Sequence, residues 1–239
     1  MMPEEPTSEI TVWDLPTRLF HWILVVLIAL QFASGEFELL PMEWHFRLGY
    51  ATLALILFRL LWGVFGSTSA RFHTFVRSPS DVLSYLRAPI LRRRSGHAGH
   101  NPLGAWSIVA MLLCVAVQAL SGLFASDDIS EFGPLGARVS DTTVDLLTRV
   151  HKINRYVLVT LIALHLSAVL LHWVLKRDNL IAPMLHGRMR MTANRAAPSI
   201  APLWRALVLA LLSAVIVGGL WRGAKRRSAA SQSSSRYLS

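Results

Sequence analysis

Nine histidines punctuate this 239-residue chain, and four of them have spacings that could do chemistry together. His151 and His165 are 14 residues apart. In a helix that is close to four turns, so the two imidazoles share one stripe, about 21 Å apart along the axis. His21 stands at the entrance of an apolar run, and His45 precedes another by about one turn. An imidazole is polar, can bind a transition metal, and is costly in lipid unless it has a partner or a function.

The elements that would carry these histidines are membrane helices. The chain is 53% hydrophobic and only 16% charged. Five apolar runs have the length that a bilayer demands: Leu19–Gly35, Leu48–Gly66, Trp106–Phe124, Tyr156–Val174 and Leu203–Leu220. None shows the strict alternation of a barrel strand. The fifth carries no histidine and reads as a helix added after the working unit. Trp13, Trp44, Trp106 and Trp173 read as interfacial anchors.

The net charge of +10 lies mainly in connections and at the C-terminal tail, where topology and anionic headgroups account for it. No basic groove interleaved with aromatics points to nucleic acid. Cys114 is the sole cysteine, which excludes an intrachain disulfide and an all-cysteine zinc or iron–sulfur site. No Cys-x-x-Cys-His occurs, so any haem would be non-covalent. The acidic N-terminal stretch does not read as a cleaved signal peptide.

Basic connections at 67–105 and 175–202 are expected on the cytoplasmic side, with the N-terminus beside them and the acidic connections outside. Five spans then leave the C-terminus outside, against the pull of Arg222, Lys225, Arg226 and Arg227. With this topology the histidines sort by depth, His21 with His165 and His45 with His151. Two stacked pairs suggest two bis-imidazole metal centres. Haem iron needs two axial ligands on opposite faces of a flat ring, and facing helices of a bundle supply them. Zinc or copper would want a tighter cluster, often with Cys or carboxylate. His172, seven residues beyond His165 on the same face, competes with it as partner of His21.

The stretches "VWDLPTRLFHW", "HFRLGYATLALILFRLLWG", "GHNPLGAWSIVAMLL" and "HKINRYVLVTLIALHLSAVLLHW" resemble the bacterial cytochrome b561 / nickel–iron hydrogenase b-type cytochrome family over about residues 11–190. The resemblance implies an all-α membrane protein, with a four-helix transmembrane bundle carrying two non-covalent b haems. To this the present chain adds a fifth C-terminal transmembrane helix. Carried over by position, the axial ligands fall on His21, His45, His151 and His165, which favours His165 over His172. The family passes electrons between quinone or quinol and a separate redox protein, such as a hydrogenase subunit or a c-type cytochrome, in the bacterial inner membrane. It implies an electron-transfer protein or a subunit of an oxidoreductase complex.

The expected organisation is a cytoplasmic N-terminal segment (1–18), a di-haem bundle (19–190), a further transmembrane helix (203–220) and a disordered basic, Ser-rich tail (221–239). Arg59, inside the second run, calls for an anion. A haem propionate and snorkelling to headgroups are equal alternatives. Gly49, on the face of His45, would admit a porphyrin or simply close helix packing. His100 opens the third run and would meet a propionate, a quinone headgroup or solvent. Two other functions compete. A haem-free anchor or transporter would use the histidines as a proton relay, but such relays usually mix in Asp or Glu, and the five runs contain neither. A stand-alone quinone reductase would share the haems and need no protein partner.

Overall fold

The computed structural model describes residues 7–87, 102–126, 132–177, 179–192 and 197–236. It is 78% helical. In chain order the elements are β1 (Thr7–Thr11), α1 (Leu15–Gly35), α2 (Met42–Phe65), the short α3 (Phe72–Phe75) and α4 (Pro79–Arg87), α5 (Pro102–Gly122), α6 (Asp141–Lys176), α7 (Ile181–His186), β2 (Arg188–Thr192) and α8 (Leu203–Arg236). Five helices among the described residues are long and apolar enough to span a membrane: α1, α2, α5, most of α6, and α8 from Leu203 to Ala224. The chain is an all-α membrane protein.

Four of the five long helices start earlier than their apolar runs, and α8 starts with its run at Leu203. α2 begins at Met42 and α6 at Asp141, so His45 and His151 lie inside helices rather than ahead of them. Their first turns carry charge, such as the Glu43–Arg47 pair at 2.6 Å, and a hydropathy run begins only after such residues. Asp141 in the first turn of α6 complements the helix dipole. At the other end of the chain, helical backbone continues to Arg236, through most of the Ser-rich tail expected to be disordered.

The chain divides into two compact units, and each long helix contributes a part to both. The first comprises residues 1–22, 59–112 and 159–207. Its anchor is Asp14, which is 2% exposed. One carboxylate oxygen accepts the Thr17 N–H at 2.7 Å, capping α1, and the other accepts the indole N–H of Trp62 at 3.1 Å. Pro16 occupies the first turn, where a missing N–H has no cost. The guanidinium of Arg59, 4% exposed, interacts electrostatically with Asp14 and donates to the Ala70 carbonyl at 3.1 Å. It also lies over the rings of Phe72 and Phe20, at 4.9 and 5.9 Å. Arg59 is therefore enclosed by protein, with a main-chain acceptor and aromatic faces as its contacts.

In the same unit β1 pairs antiparallel with β2, from Thr7↔Thr192 to Thr11↔Arg188. Sequence periodicity gives no hint of this ribbon. The backbone N–H groups of Val12 and Trp13 both donate to the Gly187 carbonyl. Gly187 adopts φ 85°, and a β-carbon there would sit 2.6 Å from the Trp13 carbonyl oxygen, so the junction requires glycine. Trp13 is only 5% exposed, so it is a core residue and not the interfacial anchor that its type suggests. Trp44, Trp106 and Trp173 remain exposed.

The second unit comprises residues 23–58, 113–158 and 208–239. Tyr50, Leu123, Leu135, Val217 and Ala224 form one buried cluster, and Arg138 donates to the Gly223 carbonyl at 3.0 Å. Ser213, Val217 and Ala224 recur at helical spacing, so α8 buries one face here and leaves Leu211 and Val215 exposed.

Replacing Asp14 with Ala removes a cap and leaves the Trp62 N–H without its acceptor. A loss of about 2–4 kcal/mol is expected, read by thermal denaturation in detergent. Asp14→Asn keeps the cap and is expected to recover part of it.

Candidate functional site

Within the second unit, His45 on α2 and His151 on α6 face one another across a cavity, with ring centroids 6.4 Å apart and ring planes at 80°. The cavity leaves about 1350 Å³ unfilled by protein atoms, its open mouth included. A metal–imidazole bond is about 2 Å long. Two imidazoles on opposite sides of one ion therefore have centroids about 6 Å apart, close to the observed separation. Among the described residues no three His, Cys, Asp or Glu side chains converge on one point. Two histidines alone suit an ion whose remaining ligands arrive with it, as the four nitrogens of a porphyrin do.

The hydrogen bonds fix which nitrogen of each ring is available. His151 Nδ1 lies 3.0 Å from the Gln118 carbonyl oxygen, which can only accept, so Nδ1 carries the proton. Ser121 Oγ gives its own proton to the Val117 carbonyl at 2.7 Å and stands 3.2 Å from the same Nδ1. His45 repeats the pattern. Ser34 Oγ lies 2.9 Å from the Leu30 carbonyl oxygen, 3.1 Å from that of Gln31 and 3.0 Å from His45 Nδ1. The lone pair of His151 is thus on Nε2, and a Ser34 hydroxyl that gives its proton to the main chain sets the same tautomer in His45. At His151 that lone pair meets the Gln118 side-chain amide at 3.1 Å. Asn154 holds Gln118 from behind, donating to its Oε1 at 2.7 Å, and itself accepts from the Cys114 thiol at 3.1 Å.

Glycine lets the rings approach. A β-carbon at Gly35 would lie 2.6 Å from His45 Cε1, and one at Gly122 would lie 2.8 Å from His151 Cε1. Gly49 also lines the cavity, with open space except for the Gln31 amide at 3.5 Å. Glu36, Lys152 and Arg155 line it too. Arg155 pairs with the Glu36 carboxylate and donates to the Tyr156 hydroxyl at 2.8 Å. Gln31 Oε1 and Thr52 Oγ1 are buried in the wall without a hydrogen-bond partner.

In the first unit His21 and His165 interact electrostatically. His21 Nδ1 is buried and has no hydrogen-bond partner among the described residues. His172 turns back to its own helix, with Nδ1 3.0 Å from the Ala168 carbonyl oxygen. His73 and His186 are exposed, and His100 lies outside the described residues. Each expected histidine pair therefore falls within a single unit.

Sequence reading passed over the residues that hold the rings. Gln31-Phe32-Ala33-Ser34-Gly35 closes α1 and Gln118-Ala119-Leu120-Ser121-Gly122 closes α5. The shared Gln-x-x-Ser-Gly was visible as an internal repeat at the ends of two apolar runs.

The family described as prokaryotic cytochrome b561 has a sequence model that matches residues 12–187, a span containing all four histidines. A relative from Cupriavidus necator (strain ATCC 17699 / DSM 428 / KCTC 22496 / NCIMB 10442 / H16 / Stanier 337) carries the name probable Ni/Fe-hydrogenase B-type cytochrome subunit. It is 23% identical over 207 residues, covering 74% of this chain and 85% of the relative. No solved structure matches the chain. With five membrane helices and a family match over well over half its length, the chain belongs to the prokaryotic cytochrome b561 family of electron-transport proteins.

Proposed function

We propose that the protein is a di-haem b-type cytochrome that carries electrons across the bacterial inner membrane, between quinone or quinol and a separate redox protein. The observation that carries this reading is the facing pair His45 and His151, each with Nδ1 engaged by protein. These two would hold one haem, and His21 with His165 the other. When bound, each haem supplies an iron that cycles between ferric and ferrous. Two histidine ligands per iron occupy both axial positions, which suits electron carriage without oxygen binding.

The surrounding residues support this assignment. Gly35 and Gly122 seat the two rings, and Gly49 leaves open space in the wall for a flat macrocycle. Lys152 and Arg155, one and four residues beyond His151, bring positive charge to the cavity wall where carboxylate propionates would need it. Arg59, the sequence-based candidate for a propionate, already has the Ala70 carbonyl and two aromatic faces, with Asp14 as a charged partner. It serves best as the brace of the α1 start. The relative's name favours a hydrogenase-type subunit as partner. The basic connections favour a cytoplasmic N-terminus, since two long basic loops outweigh one basic tail.

The purified chain is expected to contain two b haems per polypeptide by pyridine haemochrome assay. His45→Ala and His151→Ala should each lose the same haem, His165→Ala the other, and His172→Ala neither. Absence of haem from the wild-type chain contradicts the proposal. Retention of both haems by His165→Ala with loss in His172→Ala would transfer the ligand role to His172. Gly122→Val should also lose one haem, because its side chain would enter the space of the His151 ring. Reporter fusions in the 67–105 connection should be active only on the cytoplasmic side.

A further inference from the structure

We infer that the two Gln-x-x-Ser-Gly segments are matched cradles, in which Ser34 and Ser121 are positioning residues that fix the tautomer of His45 and His151 and strengthen their donation to iron. The inference rests on the haem reading above. It concerns four residues, Gln31, Ser34, Gln118 and Ser121, that no metal-ligand spacing identifies.

The chemistry of each cradle follows from counting protons. A serine hydroxyl has one proton, and Ser34 and Ser121 each lie where it goes to the carbonyl four residues back, at 2.9 and 2.7 Å. Each Oγ is then left as an acceptor beside an imidazole Nδ1, at 3.0 and 3.2 Å. At His151 the carbonyl of Gln118, three residues before Ser121, adds a main-chain acceptor to the same ring. The glycine one residue later removes the β-carbon that would collide with it. Each ring belongs to one helix and its cradle to another: His45 of α2 on α1, and His151 of α6 on α5. The bonds therefore hold both rings through Nδ1, while Nε2 of His151 accepts from the Gln118 side-chain amide.

An Nδ1–H that donates a hydrogen bond makes the other nitrogen a stronger donor to its metal. Stronger donation favours the ferric ion and lowers the reduction potential. Burial strengthens the effect, because water does not compete for the bond. His21 lacks this support, since its buried Nδ1 has no hydrogen-bond partner among the described residues. The influence of the cradles should thus be confined to the haem held by His45 and His151.

The test is a spectroscopic redox titration of the full-length, haem-loaded protein in detergent, comparing wild type with Ser34→Ala, Ser121→Ala and the double variant. Ser213→Ala is the control. Ser213 is 1% exposed and bonds back to the Leu209 carbonyl at 2.8 Å, with no hydrogen bond to a histidine among the described residues. Both haems should be retained. One midpoint should rise in each single variant, the same one in both, and rise further in the double variant. The other midpoint, and both midpoints of Ser213→Ala, should stay in place. Two haems with unmoved midpoints would overturn the inference and leave the haem reading intact, as would equal shifts in both haems. A wild-type chain without haem would overturn both. If an alanine variant loses haem, Ser→Thr must restore loading and midpoint where Ser→Val does not; equal behaviour of Thr and Val overturns the role of the hydroxyl.

Discussion

An imidazole buried between membrane helices must satisfy two nitrogens, and water is not there to do it. Leaving either bare costs on the order of a few kcal/mol. In the second unit this requirement is met for His45 and His151 by different means at each nitrogen. Nδ1 is held by serine and main-chain acceptors from the neighbouring helix. Nε2 of His151 accepts from the Gln118 side-chain amide. The close approach of ring to helix demands glycine at 35 and 122, and the separation of 6.4 Å between ring centroids follows from that seating.

The remainder of the chain can be understood as what fixes the start and rotation of the ligand helices. Asp14 caps α1 seven residues before His21, and its second oxygen ties that cap to Trp62 of α2. Arg59 adds a positive charge near Asp14 and binds the turn at Ala70, so one buried polar network orders several segments of the first unit. The β1–β2 ribbon and the Gly187 junction hold the chain just before Asp14. In the second unit α8 packs a narrow face against Tyr50, Leu123 and Leu135, which makes it an integral part of that unit.

Much of this was legible in the sequence because membrane helices announce themselves by length and hydropathy. The four ligand candidates were legible because histidine is rare in such runs, and the 14-residue spacing places two on one stripe. The true starts of α2 and α6 were hidden by charged first turns, as at Glu43, Arg47 and Asp141. The burial of Asp14 and Trp13 was hidden because both lie outside any apolar run, and the Trp62 partner of Asp14 is 48 residues away. Arg59 therefore looked as though it lacked a protein anion. The ribbon was hidden because five residues with little alternation say nothing about a partner almost two hundred residues away. The cradles were hidden for a different reason. Serine, glycine and glutamine are unremarkable at helix ends, and only their repetition beside His45 and His151 gives them meaning.

The central claim is that one iron sits between His45 and His151. Diffraction from crystals of the haem-loaded protein, recorded at the iron absorption edge, tests it most directly. The account predicts an anomalous peak about 2 Å from Nε2 of both histidines, with Ser34 and Ser121 still on the opposite nitrogens. A peak bound through any other pair of side chains, or through Nδ1, would contradict it.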